Sequence, residues 1–201
     1  MIWFTSDLHL GHANILHHAK RPFDNVHRMN DWIIDAINDR VSWSDELWVL
    51  GDFAFRVTTP EVRAFRERIV CRTVYLVRGN HDAHFPPGES PFTEELAYCE
   101  SLRTSEPDRR QLVLFHYPIL DWNGMNTGSI HLHGHIHADR SYNERNRAHG
   151  LLRYDVGVDA HDFVPVSMAN VEEFFRDVEP QGIHHRAVGD DGFLAFAPET
   201  T

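Results

Sequence analysis

The chain has almost no lysine. Lys20 is the only one in 201 residues, and arginine supplies the rest of 19 basic groups that face 30 acidic ones. The preference for arginine points to no function, but the balance does. A formal net charge of −11 argues against broad affinity for nucleic-acid polymers, because such binding depends on basic groups neutralising phosphates. A small phosphorylated substrate is not excluded, since a bound divalent metal can dominate the local field. Cysteine is also scarce. Cys71 and Cys99 are the only two, so a disulfide framework is not expected and a reducing cytoplasm is the natural setting. No apolar run approaches membrane-spanning length, and the opening MIWFTSDLHL has neither a basic n-region nor a long h-region. Neither a membrane partner nor export is expected. Internal repeats and low-complexity segments are absent from the sequence.

What is present is the composition of a soluble globular protein, 42% apolar and 24% charged, with length enough for one substantial core. Residues 1–178 read as a single domain. Residues 179–201 read as a C-terminal extension, either an added strand at Gly192–Phe196 or a loose tail. Sixteen histidines are dispersed along the chain rather than gathered into a tag. Histidine is the commonest metal ligand, although dispersal alone proves nothing.

Several short apolar runs end alike. Ile2-Trp3-Phe4-Thr5 leads into Ser6-Asp7-Leu8-His9, and Leu47-Trp48-Val49-Leu50 into Gly51-Asp52. Thr73-Val74-Tyr75-Leu76-Val77 leads into Gly79-Asn80-His81-Asp82, and Leu112-Val113-Leu114-Phe115 into His116-Tyr117-Pro118. Ser129-Ile130-His131-Leu132-His133 leads into Gly134-His135-Ile136-His137. Each reads as a buried strand. Helical spacing of Met29, Trp32, Ile33, Ala36 and Ile37 predicts a helix over 27–40. Thr59 as N-cap, Pro60 and Glu61 predict a second, with Val62, Phe65 and Ile69 as its inner stripe. A further strand is expected near 152–158 and a short helix near 167–176. Strands alternating with helices imply βαβ units and a mainly parallel sheet, hence an α/β fold.

Open α/β folds bind ligands at the carboxyl ends of their strands, and five strand ends here deliver Asp, His or Asn. Taken singly the motifs differ in worth. D-x-H occurs three times, at Asp7, Asp82 and Asp159, and is nearly uninformative. G-N-H-D and G-H-x-H, each following a strand, are specific.

The order D-x-H, G-D, G-N-H-D, H, G-H-x-H resembles that of the calcineurin-like metallophosphoesterases from Met1 to about Asp159. The opening Phe4-Thr5-Ser6-Asp7-Leu8-His9-Leu10-Gly11-His12, with Asn14-Ile15 and Arg21-Pro22-Phe23, is similar to small bacterial and phage phosphoesterases. Leu50-Gly51-Asp52-Phe53 and Val156-Gly157-Val158-Asp159 fit the same branch. The resemblance implies a four-layer αββα sandwich, the calcineurin-like metallophosphoesterase fold, with two divalent metal ions above the strand ends. It implies Asp7, His9, Asp52 and His137 around one metal, and Asp52, Asn80, His116 and His135 around the other, with Asp52 bridging. Manganese is the expected metal. Iron, zinc, cobalt and nickel also suit mixed oxygen and nitrogen donors. His81 would stabilise the transition state or protonate the leaving oxygen. His12, Asn14 and Arg21 are candidate substrate contacts.

The phosphoprotein phosphatases of that superfamily carry G-D-x-V-D-R-G. Here the residues are Gly51-Asp52-Phe53-Ala54-Phe55-Arg56. The second aspartate, which orients the catalytic histidine in those enzymes, is missing, so either Asp82 or a backbone carbonyl must orient His81. The resulting expectation is a phosphoesterase acting on a small phosphodiester, a cyclic nucleotide being one candidate, through attack of a hydroxide bound by both metals. A phosphomonoesterase and a non-catalytic binding scaffold are the alternatives. In HLHGHIH, Gly134 should end the strand. His135 and His137 then become ligands of different ions, and His131 and His133 are left in hydrogen-bonded supporting roles.

Overall fold

A computed structural model describes residues 1–106 and 109–180. Strands β1 (Ile2–Thr5), β2 (Glu46–Val49), β3 (Thr73–Val77) and β4 (Glu94–Leu96) pair in parallel. The two-residue β8 (Val166–Ser167) adds antiparallel to β1, giving the order β4-β3-β2-β1-β8. Side chains alternate cleanly across this sheet, as the two-residue period requires. Leu47, Val49, Val74 and Leu76 face one apolar cluster, and Phe4, Trp48, Tyr75 and Val77 the other.

The first cluster is closed by α2 (Val26–Asn38) and α3 (Thr59–Arg68). Met29, Ile33, Ile34 and Ile37 form the buried stripe of α2. The Asn25 side chain caps it by accepting from the Arg28 amide. At α3 the cap is Thr58, one residue before the expected Thr59, because Glu61 reaches back to the Thr58 amide at 2.7 Å. Ile69 stays buried but is extended and closes the helix, while Phe65 is half-buried. Trp32 departs from its expected core position and is 57% exposed. The apolar stripe of α2 is narrower than its spacing allowed.

The second cluster lies between the sheets. It takes Leu112, Leu114, Ile130 and Leu132 from β5 (Leu112–Leu114) and β6 (Ile130–His133), which pair in parallel with β7 (Arg153–Asp155). Met168, Val171 and Phe175 of α5 (Met168–Phe175) close its side. Beyond the small sheet lies α4 (Arg140–Ala148), whose Asn143 and Asn146 donate to the β7 carbonyls of Asp155 and Arg153. The layers are therefore helix, sheet, sheet, helix, as expected. A one-turn helix, α1 (Ile15–His18), follows the first strand-end loop. A parallel bridge between Ser6 and Gly157 brings the carboxyl ends of both sheets together. The C-terminal extension from residue 181, including Gly192–Phe196, lies outside the described residues.

Candidate metal centre

The strand-end loops turn sharply. Asp7, His9, Asp52, His135 and His137 all have left-handed backbones, with φ of 56°, 51°, 56°, 75° and 47°. Each such residue other than glycine carries about 1–2 kcal/mol of strain, and strain of this kind persists where surrounding structure over-determines it. Here it is held by bonds between loops. Asp7 N donates to Gly51 O at 3.0 Å, and His9 N to Asp52 O at 2.9 Å. The motif glycines have a packing reason as well. A Cβ on Gly134 would lie 2.0 Å from Ser6 Oγ and 2.2 Å from Asp7 Oδ2. One on Gly51, whose φ is +92°, would lie 2.3 Å from His116 Nδ1.

The loops bring donor atoms together in two groups, Asp7 with His9 and His137, and Asp7 with Asp52 and His116. Asp52 spans them. Its Oδ2 is 3.4 Å from His9 Nε2, and its Oδ1 is 3.6 Å from His116 Nε2. Asn80 Oδ1 lies 3.1 Å from that same His116 nitrogen. His135 stands beside His116, ring centroids 5.0 Å apart, but joins neither group. Its contribution in this geometry is its amide, which donates to Asp7 Oδ2 at 2.9 Å.

Three of the histidines are tied on their outer nitrogen. His116 Nδ1 donates to Leu50 O at 2.8 Å, and His137 Nδ1 to Asp159 Oδ2 at 2.7 Å. His9 Nδ1 meets His12 Nδ1 at 3.3 Å. The carbonyl and carboxylate partners fix the tautomers of His116 and His137 and leave Nε2 as a lone pair directed inward. Burial first, then the nearby His137 and Arg21 charges, depress His9 to a pKa of about 2, so its ring is neutral. His137 is raised. Burial opposes this, but the Asp159 hydrogen bond and the charges of Asp7 and Asp159 outweigh it. Burial also raises Asp7 above the usual carboxylate range.

A family model described as calcineurin-like phosphoesterase matches residues 1–183. The chain belongs to the calcineurin-like phosphoesterases. The Gene 66 protein of Mycobacterium phage D29 is 28% identical over 210 residues, covering 89% of this chain and 97% of the phage protein. An uncharacterized protein of Methanocaldococcus jannaschii is 28% identical over 138 residues, 69% of this chain and 70% of that one. The crystal structure of a protein of unknown function from Aquifex aeolicus superimposes with a TM-score of 0.66 at 22% identity, over 86% of this chain and 98% of that one. That last likeness is one of fold.

As a calcineurin-like phosphoesterase the protein is a metal-dependent hydrolase of phosphoric esters, and its donor set fits divalent cations. Asp7 Oδ1 and His9 Nε2 are buried without any hydrogen-bond partner. Orphaned polar atoms of this kind are costly unless something else satisfies them, and both belong to residues of the donor groups.

Two expected roles need correction. Arg21 is only 4% exposed, and its donors are taken up inside the chain. Its Nε and Nη2 bind the Asp159 carboxylate at 2.9 and 2.8 Å, and its Nη1 and Nη2 also donate to Leu8 O and Asp7 O. Arg21 is therefore the anchor of the carboxylate that anchors His137. Asp82 does not orient His81 either. Its oxygens accept from the amides of Asp52, Phe53 and Gly79 at 2.9, 2.9 and 2.7 Å. His12 lies half-buried against His9, and Asn14 is exposed at the start of α1. Asp159 is the supporting residue that motif reading passed over. Its sequence signals were a D-x-H triplet shared with two other sites and the Val156-Gly157-Val158-Asp159 run, neither of which marked it as a partner of His137.

Proposed function

We propose that this phosphoesterase hydrolyses a small phosphodiester, a cyclic nucleotide among the candidates, with two divalent ions, manganese foremost. Asp7, His9, Asp52 and His137 would hold one ion, and Asp52, Asn80, His116 and His135 the other. The observation that carries this reading is Asp52, whose two oxygens face histidines of different groups beside the orphaned Asp7 Oδ1 and His9 Nε2. Two ions at such a site supply an activated water and neutralise charge on the phosphoryl oxygens.

The chain's own residues supply the rest. Asp159 and Leu50 O hold the His137 and His116 imidazoles in the tautomer that keeps Nε2 free. Half-exposed His81, next to Asn80, would donate a proton to a leaving oxygen. Preference for a diester is supported by Arg21. The guanidinium expected to meet the substrate is buried and its donors are used. A diester, with one negative charge, asks for less positive charge than a monoester dianion. The free, buried Cys71 and Cys99 support a reducing, cytoplasmic setting. Among the described residues, no helix is long and apolar enough to cross a membrane.

The test compares bis-p-nitrophenyl and mono-p-nitrophenyl phosphate after Mn²⁺ reconstitution. Faster turnover of the diester is expected, and preference for the monoester would reverse the assignment.

A further inference from the structure

His81 has no polar anchor. No carbonyl or carboxylate among the described residues accepts a hydrogen bond from its ring, Asp82 is consumed by three backbone amides, and Asp52 Oδ2 is 4.0 Å away. Only its amide is tied, to Asp52 Oδ1 at 3.0 Å. An imidazole on a half-exposed loop with free χ1 and χ2 would sample several rotamers. Those that turn away from the strand ends are useless for proton transfer.

The ring stands 5.6 Å from the His9 ring, tilted, and packs more closely against Phe55. The two centroids are 4.4 Å apart at 72°, an edge-to-face contact, which is the geometry aromatic quadrupoles prefer. Phe55 is itself held from other sides. The His12 ring lies 4.1 Å from it, and the Arg56 guanidinium carbon stands 5.1 Å from its centroid. Its amide donates to Leu10 O at 3.2 Å, and Leu10 N donates back to Phe53 O at 3.1 Å. The loop carrying Phe55 is thus stitched to the loop carrying Asp7 and His9. An aromatic ring tied to the ligand-bearing loop stands against the His81 imidazole.

We propose that Phe55 is the positioning residue of His81, holding the imidazole over the metal ligands by edge-to-face packing instead of a hydrogen bond. This rests on the proposed function for what His81 does, but not for where its ring sits. The two are separable by experiment.

Wild type, Phe55→Ala, Phe55→Tyr and His81→Ala are assayed with Mn²⁺ on two diesters. One is bis-p-nitrophenyl phosphate, whose leaving phenolate needs little protonation. The other is methyl phenyl phosphate, whose leaving phenol is much less acidic. A general acid contributes about 10²–10⁴-fold, and a loosened one should forfeit about 30-fold of that on the phenyl diester. Loss on the nitrophenyl diester should stay within about threefold, with KM little changed. Phe55→Tyr should restore both rates, and adding Phe55→Ala to His81→Ala should cost nothing more. Equal losses on the two diesters would overturn the proposal.

A second measurement needs no activity. In metal-free protein, the His81 ring signals in a ¹H–¹³C spectrum, assigned by their loss in His81→Ala, should move in Phe55→Ala and return in Phe55→Tyr. Unmoved signals would overturn the proposal. If wild type hydrolyses neither diester, the functional reading fails, and the spectra alone then decide whether Phe55 positions His81. Should Phe55→Ala not fold, Phe55→Leu takes its place, since it fills the site but lacks the ring.

Discussion

Replacing Asp159 by Asn keeps its shape and removes its charge, and the surroundings make the outcome specific. The carboxylate accepts from both the Arg21 guanidinium and His137 Nδ1. An amide keeps only one acceptor oxygen, so it cannot accept at both the Oδ1 and the Oδ2 positions. If that oxygen takes the Oδ1 place on Arg21 Nε, the NH₂ takes the Oδ2 place and faces His137, and the imidazole must shift its proton to Nε2. That tautomer has no lone pair for a metal. Loss of a supporting partner typically weakens metal binding about 10–100-fold, and the tautomer argument places Asp159→Asn near the upper limit. Stability falls too. The Arg21 and Asp159 side chains are 0% and 10% exposed, and breaking a buried ion pair costs about 3–5 kcal/mol. The retained hydrogen bond should hold the loss to about 3 kcal/mol.

Arg21→Met separates the two effects. It removes the buried cation but leaves His137 Nδ1 on Asp159, so stability should fall by about 3–5 kcal/mol while metal affinity falls less than about tenfold. Urea unfolding in EDTA reads the first quantity, and calorimetric Mn²⁺ titration reads the second. The reasoning is refuted if Asp159→Asn binds Mn²⁺ like wild type, or if Arg21→Met weakens binding more than Asp159→Asn does.

Two further outcomes are expected. Gly134→Ala drives a Cβ against Ser6 Oγ and Asp7 Oδ2. It should lose about 1–3 kcal/mol in urea unfolding, together with most Mn²⁺ binding as Asp7 is displaced. His131, buried against Trp122, is depressed by that burial from 6.5 to about 4. Its folded pKa is below its unfolded one, so its contribution is complete above about pH 6.5 and is lost as pH falls through the window toward 4. At 1.36 kcal/mol per unit, metal-free protein should lose about 2 kcal/mol from this group between pH 6.5 and 5. His131→Leu should flatten that part of the urea-derived profile, and an unchanged slope would remove His131 as its source.

Much of this was readable from the chain because strand ends are local. Short β-branched and aromatic runs stop at Asp, Gly or His, so the polar residues that follow fall on one edge of a parallel sheet. HLHGHIH divided as its glycine suggested. His131 Nδ1 donates to Val113 O and its Nε2 accepts from Ile119 N, while His133 Nδ1 donates to Gly134 O and its Nε2 accepts from the Tyr142 hydroxyl. Both histidines are thus consumed by the scaffold, and of the other two only His137 joins a donor group. What stayed hidden is contact over long separations. Arg21 and Asp159 are 138 residues apart, and nothing near Arg21 in sequence marks it as an anchor rather than a phosphate ligand. Asp82 and Asp159 carry the same triplet signature, yet one gathers three backbone amides and the other steadies His137. Trp32 shows the limit of periodicity, since spacing gives the centre of a helix's apolar face but not its width.

The central claim is that one carboxylate, Asp52, serves two ions at once. Elemental analysis of protein reconstituted with Mn²⁺ and freed of excess metal tests it most directly, on wild type, Asp52→Ala, His137→Ala and His116→Ala. Two Mn²⁺ per wild-type chain, about one in each histidine variant and none in Asp52→Ala are the expected result. A single ion in wild type, or full occupancy in Asp52→Ala, would contradict it.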